Sequence, residues 1–347
     1  MKGYPRIILG LSILIISIQS AHAQTVTDPV AYMNKFTESE RQINSEMLNY
    51  VSAVAHDKSA KKVDKQRLEL INAISTARSM AAHASNFEGD SNVRVAAYNY
   101  FNIAYIVAKE DYGKIVDMEA ISEQSYDNME AYLKAQEAAN DREHEAFEKV
   151  DKEIRAFAAM HHITITEDKS KDSKLSEVVN EVTKYYNKVY LTFFKCNSNE
   201  SYMIKALEKK DINGIEQNKS ALLKNCNENL PKLEQIGAYQ SDASLIISSK
   251  KLLQFYNEEA KEKTPILTAY LVKSDDFQKL KKEMDGKTDR SQDDVNKYNA
   301  AVKDLNDAVN LYNKTNNELN QTRTRLINEL NGSIETFMSK HIPRHSK

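Results

Sequence analysis

Residues 295–330, VNKYNAAVKDLNDAVNLYNKTNNELNQTRTRLINEL, decide the fold of this chain. Apolar side chains recur at Val295, Tyr298, Val302, Leu305, Val309, Tyr312, Leu319, Leu326 and Leu330, in steps of three and four as far as Tyr312 and then on the same heptad frame, over five heptads in all. A helix turns once in about 3.6 residues, so this spacing gathers them into one stripe. A strand would need alternation of period two. The stripe is expected to pack along its length against partner helices. Just upstream, Ser291 and Asp294 make a capping-box-like start.

The same period extends upstream. Asp28-Pro29 places an N-cap acid before a Pro at the first helical position, opening a helix that runs to about His56. Leu68, Ile71, Ile74, Ala77, Ala81 and Ala84 mark a second helix, stopped by Gly89-Asp90-Ser91. A third, apolar around Val93, Val95, Tyr98, Phe101 and Ile106, is expected to be the most buried. A fourth runs from about Glu123 to His161. Beyond polar Thr164–Asp172 a fifth carries Val178, Val182, Tyr186, Val189 and Phe193. A turn is expected near 197–211 with a short helix around Tyr202–Leu207, then a sixth helix ending at Gly237 and a seventh capped by Ser241-Asp242. With only 8 Gly, 5 Pro and no Trp in 347 residues, an all-α fold is expected. Its architecture reads as a long antiparallel helical bundle of two tandem four-helix halves, 24–163 and 173–347, linked by 164–172.

The halves resemble each other. At an offset of 152, Phe87 falls on Tyr239, Asp90 on Asp242, Val93 on Leu245, Val95 on Ile247 and Ile115 on Leu267. Gly113 falls on Pro265, so each third helix carries a breaker at the same depth, where a kink or break is expected. The closing helices match at an offset of 180: Tyr132 with Tyr312, Ile154 with Ile334, Phe157 with Phe337. The 28-residue difference places an insertion near Asp275–Asp294. An internal duplication is the expected origin of these matches, with shared helical periodicity as the alternative.

The first 23 residues read as a signal peptide: Lys2 and Arg6, an apolar run Ile7–Ile18, then Ala21-His22-Ala23 as a small-x-small cleavage site before Gln24. The run is about 12 residues, short of the ~20 that a membrane span needs, so no transmembrane anchor is expected after cleavage. Periplasm, cell surface and exterior are the expected locations. Removing Lys2 and Arg6 from the 48 basic residues leaves 46 against 50 acidic ones, mixed along the chain. Without a basic stripe, nucleic acid and anionic lipid are poor partners. Cys196 and Cys226 would suit a disulfide in an oxidising compartment. With a turn near 197–211, however, helix rise puts them about 20 Å apart, beyond bridging range.

Catalytic and metal-binding patterns are missing from the sequence. Asp141 to His144 is the nearest approach to the Glu-x-x-His of a helical di-iron site, and it stands alone. His144-Glu145 lacks the second His of a zinc protease, and His161-His162 has no third ligand nearby. No phosphate-binding Gly-rich loop and no nucleophile elbow occur. No enzyme activity, cofactor or metal is expected. The stripe of the last helix is interrupted by Asn316 and Arg323, and offset 180 puts Gln136 and Glu143 at the matching places. Such polar residues fix register, face solvent where helices splay, or line a ligand groove.

The stretches DPVAYMN (28–34), NYVSAVAHDKSAKKVDKQR (49–67), KEDYGKIVDMEAISEQSYDNMEAYLKAQEAAN (109–140), YYNKVYLTFFK (185–195) and AVNLYNKTNNELN (308–320) resemble an uncharacterised family of exported surface proteins. That family was first recognised in Leptospira and is common in Bacteroidetes. The resemblance implies a cell-envelope or surface location in a Gram-negative bacterium and carries no catalytic or ligand motif. The leading expectation is a non-enzymatic envelope protein, binding or scaffolding through its helical surfaces to a partner the sequence does not identify. The alternative is a solute-binding or sensor-like protein with a ligand between helices. Gln136, Glu143, Asn316 and Arg323 discriminate: an enclosed cavity favours the ligand, a scatter over the surface favours the scaffold.

Overall fold

The structure, a computed structural model, describes residues 16–17, 28–56, 59–111, 126–167 and 171–345. Apart from Ile16–Ser17, which pairs antiparallel with Thr166–Glu167, the signal peptide expected at 1–23 lies outside them. So does Gly113, with the start of the fourth helix. Otherwise the regular structure among the described residues is helical, as the all-α expectation requires. The helices are α1 (Pro29–His56), α2 (Ala60–His83), α3 (Asn92–Ile106), α4 (Tyr126–Met160), α5 (Lys171–Glu208), α6 (Ile212–Ile236), α7 (Ser244–Glu258), α8 (Thr264–Asp285) and α9 (Gln292–His341). A π-helical turn follows α3 at Val107–Asp111, and another follows α7 at Glu259–Lys263.

Short-range chemistry sets the helix starts. Asp28 accepts a hydrogen bond from the Val30 amide at 2.9 Å, with Pro29 as the first helical residue. Asp211 caps α6 by accepting from the Gly214 amide at 3.0 Å. Ser291 and Asp294 bond reciprocally, Asp294 N–H to Ser291 Oγ at 3.1 Å and Ser291 N–H to Asp294 Oδ2 at 3.0 Å. The Lys287 ammonium and these Ser291 bonds hold the Asp294 carboxyl down at about 2.

The 152-residue offset of the sequence is also an offset of geometry. Phe87 and Asp90 exchange backbone hydrogen bonds of 3.0 and 2.8 Å; Tyr239 and Asp242 exchange bonds of 3.0 and 2.7 Å. Asp90 then caps the amide of Asn92 at 2.8 Å, and Asp242 that of Ser244 at 3.0 Å. Both tight turns carry two residues at positive φ: Glu88 and Gly89 in one, Gln240 and Ser241 in the other. The bounds of α3 and α7, and those of the two π-turns, coincide under the same shift. Val95, expected inside, and its match Ile247 both face solvent, 42% and 52% exposed. At offset 180, Phe157 lies 4.3 Å from His161 and Phe337 lies 4.6 Å from His341, ring centre to ring centre.

Pro265 does not break its helix. The π-turn lies just before it, and α8 continues to Asp285. Pro has no N–H and its ring crowds the carbonyl one turn back, and the widened turn relieves that conflict.

Two compact units emerge, and they follow a different division from 24–163 and 173–347. One runs to Asn187 and takes in Glu335–Lys347; the other is Lys188–Ile334. Both borders fall inside helices, α5 and α9, because these are 38 and 50 residues long. In the first unit α1 packs on α2, α2 on α3 and α3 on α4. Its core holds Met33, Phe36, Ile43, Ile74 and Phe101, each contributing about 1.5–3 kcal/mol by leaving water. The end of the chain docks here: His56 Nε2 lies 2.7 Å from the Ile342 carbonyl, and His345 meets Asp172 at 3.2 Å. In the second unit α6 packs on α7 and α8. The α9 stripe is buried at Leu319, Leu326 and Leu330, whereas Val295 is exposed. Its early part instead pairs with α8, through Tyr270 on Tyr312 (4.5 Å between ring centres) and Phe277 on Tyr298 (5.5 Å). Asp275–Asp294, the expected insertion, forms the tip of that α8–α9 hairpin.

Candidate functional site

Helix α5 runs unbroken to Glu208, so the turn expected over 197–211 is confined to 209–211, and the short helix expected around Tyr202–Leu207 is the end of α5. The continued helix carries Glu200 into the unit's interior, where it is 4% exposed. Arg323, projecting from α9, donates through Nε to Glu200 and through Nη2 to Glu259 Oε1, and its Nη1 bonds Asn320 Oδ1 at 2.6 Å. Both carboxylates are buried, and only 13% of the Arg323 side chain is exposed. Its guanidinium also lies 5.8 Å from the centre of the Phe255 ring.

Glu259 owes its place to the π-turn. The extra residue per turn rotates Glu259 and Ala260 inward together, and both are buried. The Thr264 hydroxyl caps the widened turn by donating to the Glu259 carbonyl at 2.9 Å. Tyr256, one turn earlier and fully buried, donates its hydroxyl to Asn197 Oδ1 at 2.8 Å.

One guanidinium serves two buried carboxylates, and the proton affinities show the imbalance. Burial raises the Glu200 carboxyl against the opposing pull of Arg323. Burial, reinforced by neighbouring Glu200, pushes Glu259 up to about 8. Glu259 Oε2 is buried and accepts no hydrogen bond. Burial, then Glu200 and Glu259, also raises the Tyr256 phenol well above its ordinary value.

Beside this cluster lies a cavity of about 140 Å³. Its polar wall is Glu259, Arg323, Asn316, Asn320, Tyr312 and Glu208; its apolar wall is Ile204, Leu207, Leu267 and Leu319. A wider depression of about 610 Å³ is floored by α9 alone, from Asn320 to Asn328, and offers no groups converging from different elements. Asn316 and Arg323 thus share one cavity. Glu143 belongs to the other unit, and the side chain of Gln136 lies outside the described residues. Glu143 is buried on α4 with neither carboxylate oxygen hydrogen-bonded, and burial pushes it up to about 8. The fully buried Tyr100 hydroxyl is also without a partner, its phenol raised by burial and by the fields of Glu143 and Glu40.

Glu200 and Glu259 escaped the sequence reading. The signal for Glu259 was present: offset 152 sets it on Val107, a carboxylate where the other half has a fully buried aliphatic. Among the described residues no group of three or more His, Cys, Asp or Glu can hold a metal ion, and no helix is long and apolar enough to cross a membrane. No family model, no curated protein and no solved structure matches the chain.

Proposed function

We propose that this chain is an exported cell-envelope protein that works by binding rather than by catalysis, and that residues 188–334 hold a small solute between their helices. One observation carries the solute: the buried Glu259, a residue of the cavity wall, has a carboxylate oxygen that no protein donor satisfies. Buried carboxylate oxygens are ordinarily hydrogen-bonded, and leaving one unmet is costly. The export half of the proposal rests on the leader at 1–23 and on the resemblance to exported surface proteins. The absence of catalytic spacing in the sequence supports a non-enzymatic role. Native mass spectrometry of the processed protein, released gently from envelope fractions, tests the proposal. The expected result is an N-terminus at Gln24 and a bound mass lost on denaturation; Met1 intact on cytoplasmic protein, or no bound mass, goes against it.

Scaffolding through helical surfaces is the second reading. The exposed Val272 on α8 and Val295 on α9 favour it. A reproducible protein partner, captured by the processed chain and lost when 275–294 is replaced by a short turn, would support scaffolding instead.

A further inference from the structure

Resting on the solute-binding reading, we infer that the cavity beside Arg323 is a site for a small primary ammonium cation with a short apolar chain, its charged end paired with the Glu259 carboxylate. Three observations converge. With both carboxyls ionised the cluster is one positive charge short, since Arg323 from α9 faces Glu200 from α5 and Glu259 from the π-turn. The remaining ionisable groups of the wall, Glu208 and Tyr312, bring no cation. Glu259 Oε2, which no protein group meets, becomes an open acceptor once the carboxyl gives up its proton. An anion meets carboxylates on this wall, and an alcohol donates a hydrogen bond without balancing the charge.

Size and lining set the rest of the ligand. The cavity of about 140 Å³ is close to one of about 150 Å³ that accepts benzene, so about six heavy atoms fit. Leu267 and Leu319 offer the chain an apolar wall opposite the carboxylate. Binding also moves a proton. At neutral pH Glu259, pushed to about 8 by burial and Glu200 against the pull of Arg323, holds a proton that an arriving ammonium displaces to the buffer.

Calorimetry on the full processed chain at neutral pH, with n-butylammonium, n-butanol and butyrate, tests this. Saturable binding of n-butylammonium alone is expected, with a heat that changes with the buffer's ionisation enthalpy as a released proton requires. Glu259→Gln should weaken it at least about tenfold. Asn316→Phe, at a half-buried wall position, fills the cavity and should abolish it even if Glu259→Gln does not fold. Binding of the alcohol or butyrate in preference overturns the ligand class while leaving a solute site standing. Binding of none of the three overturns both. Ammonium binding without proton release, or unchanged in Asn316→Phe, places the ligand elsewhere and overturns the assignment.

Discussion

Cys196 and Cys226 face each other across the α5–α6 hairpin, at equal distances along the chain from the capping residue Asp211. Both thiols are free, buried and in hydrogen-bond contact, and Asn229 Nδ2 reaches Cys196 Sγ at 3.7 Å. The separation of about 20 Å expected from the sequence came from ending the helix at Cys196 and placing the turn over 197–211. With α5 running to Glu208, the two arms of the hairpin are matched in length and the cysteines meet. The Cys226 hydrogen bond lowers the Cys196 thiol, and the same contact raises that of Cys226.

Incubation with oxidised glutathione should therefore convert both thiols to an intramolecular disulfide, the glutathione taking up the hydrogens. The cross-link should stabilise the protein by about 3 kcal/mol through the loop that it closes. Intact mass after alkylation and a denaturant melt check this. Two alkylated cysteines persisting after prolonged oxidation would contradict the contact.

Arg323→Leu should cost about 3 kcal/mol or more, because Glu200 and Glu259 stay buried without a counter-charge. The loss should grow with pH as the carboxyls ionise. Adding Glu200→Gln and Glu259→Gln should recover most of it. Urea melts of the single and triple variants check this, and a single variant more stable than the parent would contradict the cluster.

Glu143 sets a pH dependence in the first unit. Its carboxyl is raised to about 8 by burial, above its unfolded value, so the folded state binds the proton more tightly. Its contribution is fully present below about pH 4.5 and is lost as pH rises toward 8, on the order of 3 kcal/mol by pH 7. Glu143→Gln removes this titration. Melts between pH 4.5 and 9 should show a flatter profile for the variant, and parallel profiles would contradict it.

Ser241 occupies the left-handed region at φ 73°, where its matched residue in the other half is Gly89 at φ 90°. A side chain there costs about 1 kcal/mol. Ser241→Gly should stabilise the second unit by roughly that amount, and Gly89→Ser should destabilise the first. Nothing lies within 4 Å of a Cβ built on Gly89, so backbone conformation alone decides the sign. Thermal melts of both variants measure it.

The amino-acid sequence by itself determined what depends on neighbours a few residues apart: the helical period, the caps at Asp28, Asp90, Asp242 and Ser291, and the 152-residue correspondence that recurs in the turns. It also marked Asn316 and Arg323 as polar breaks in an apolar stripe. Only the tertiary structure decided where α5 ends, that Cys196 meets Cys226, and that Glu200 and Glu259 close on Arg323. The reason is that caps and periodicity act within one or two turns of chain, whereas an unannounced helix continuation or a π-turn shifts every later side chain around the axis. Pairings between α5, α7 and α9 depend on that accumulated rotation.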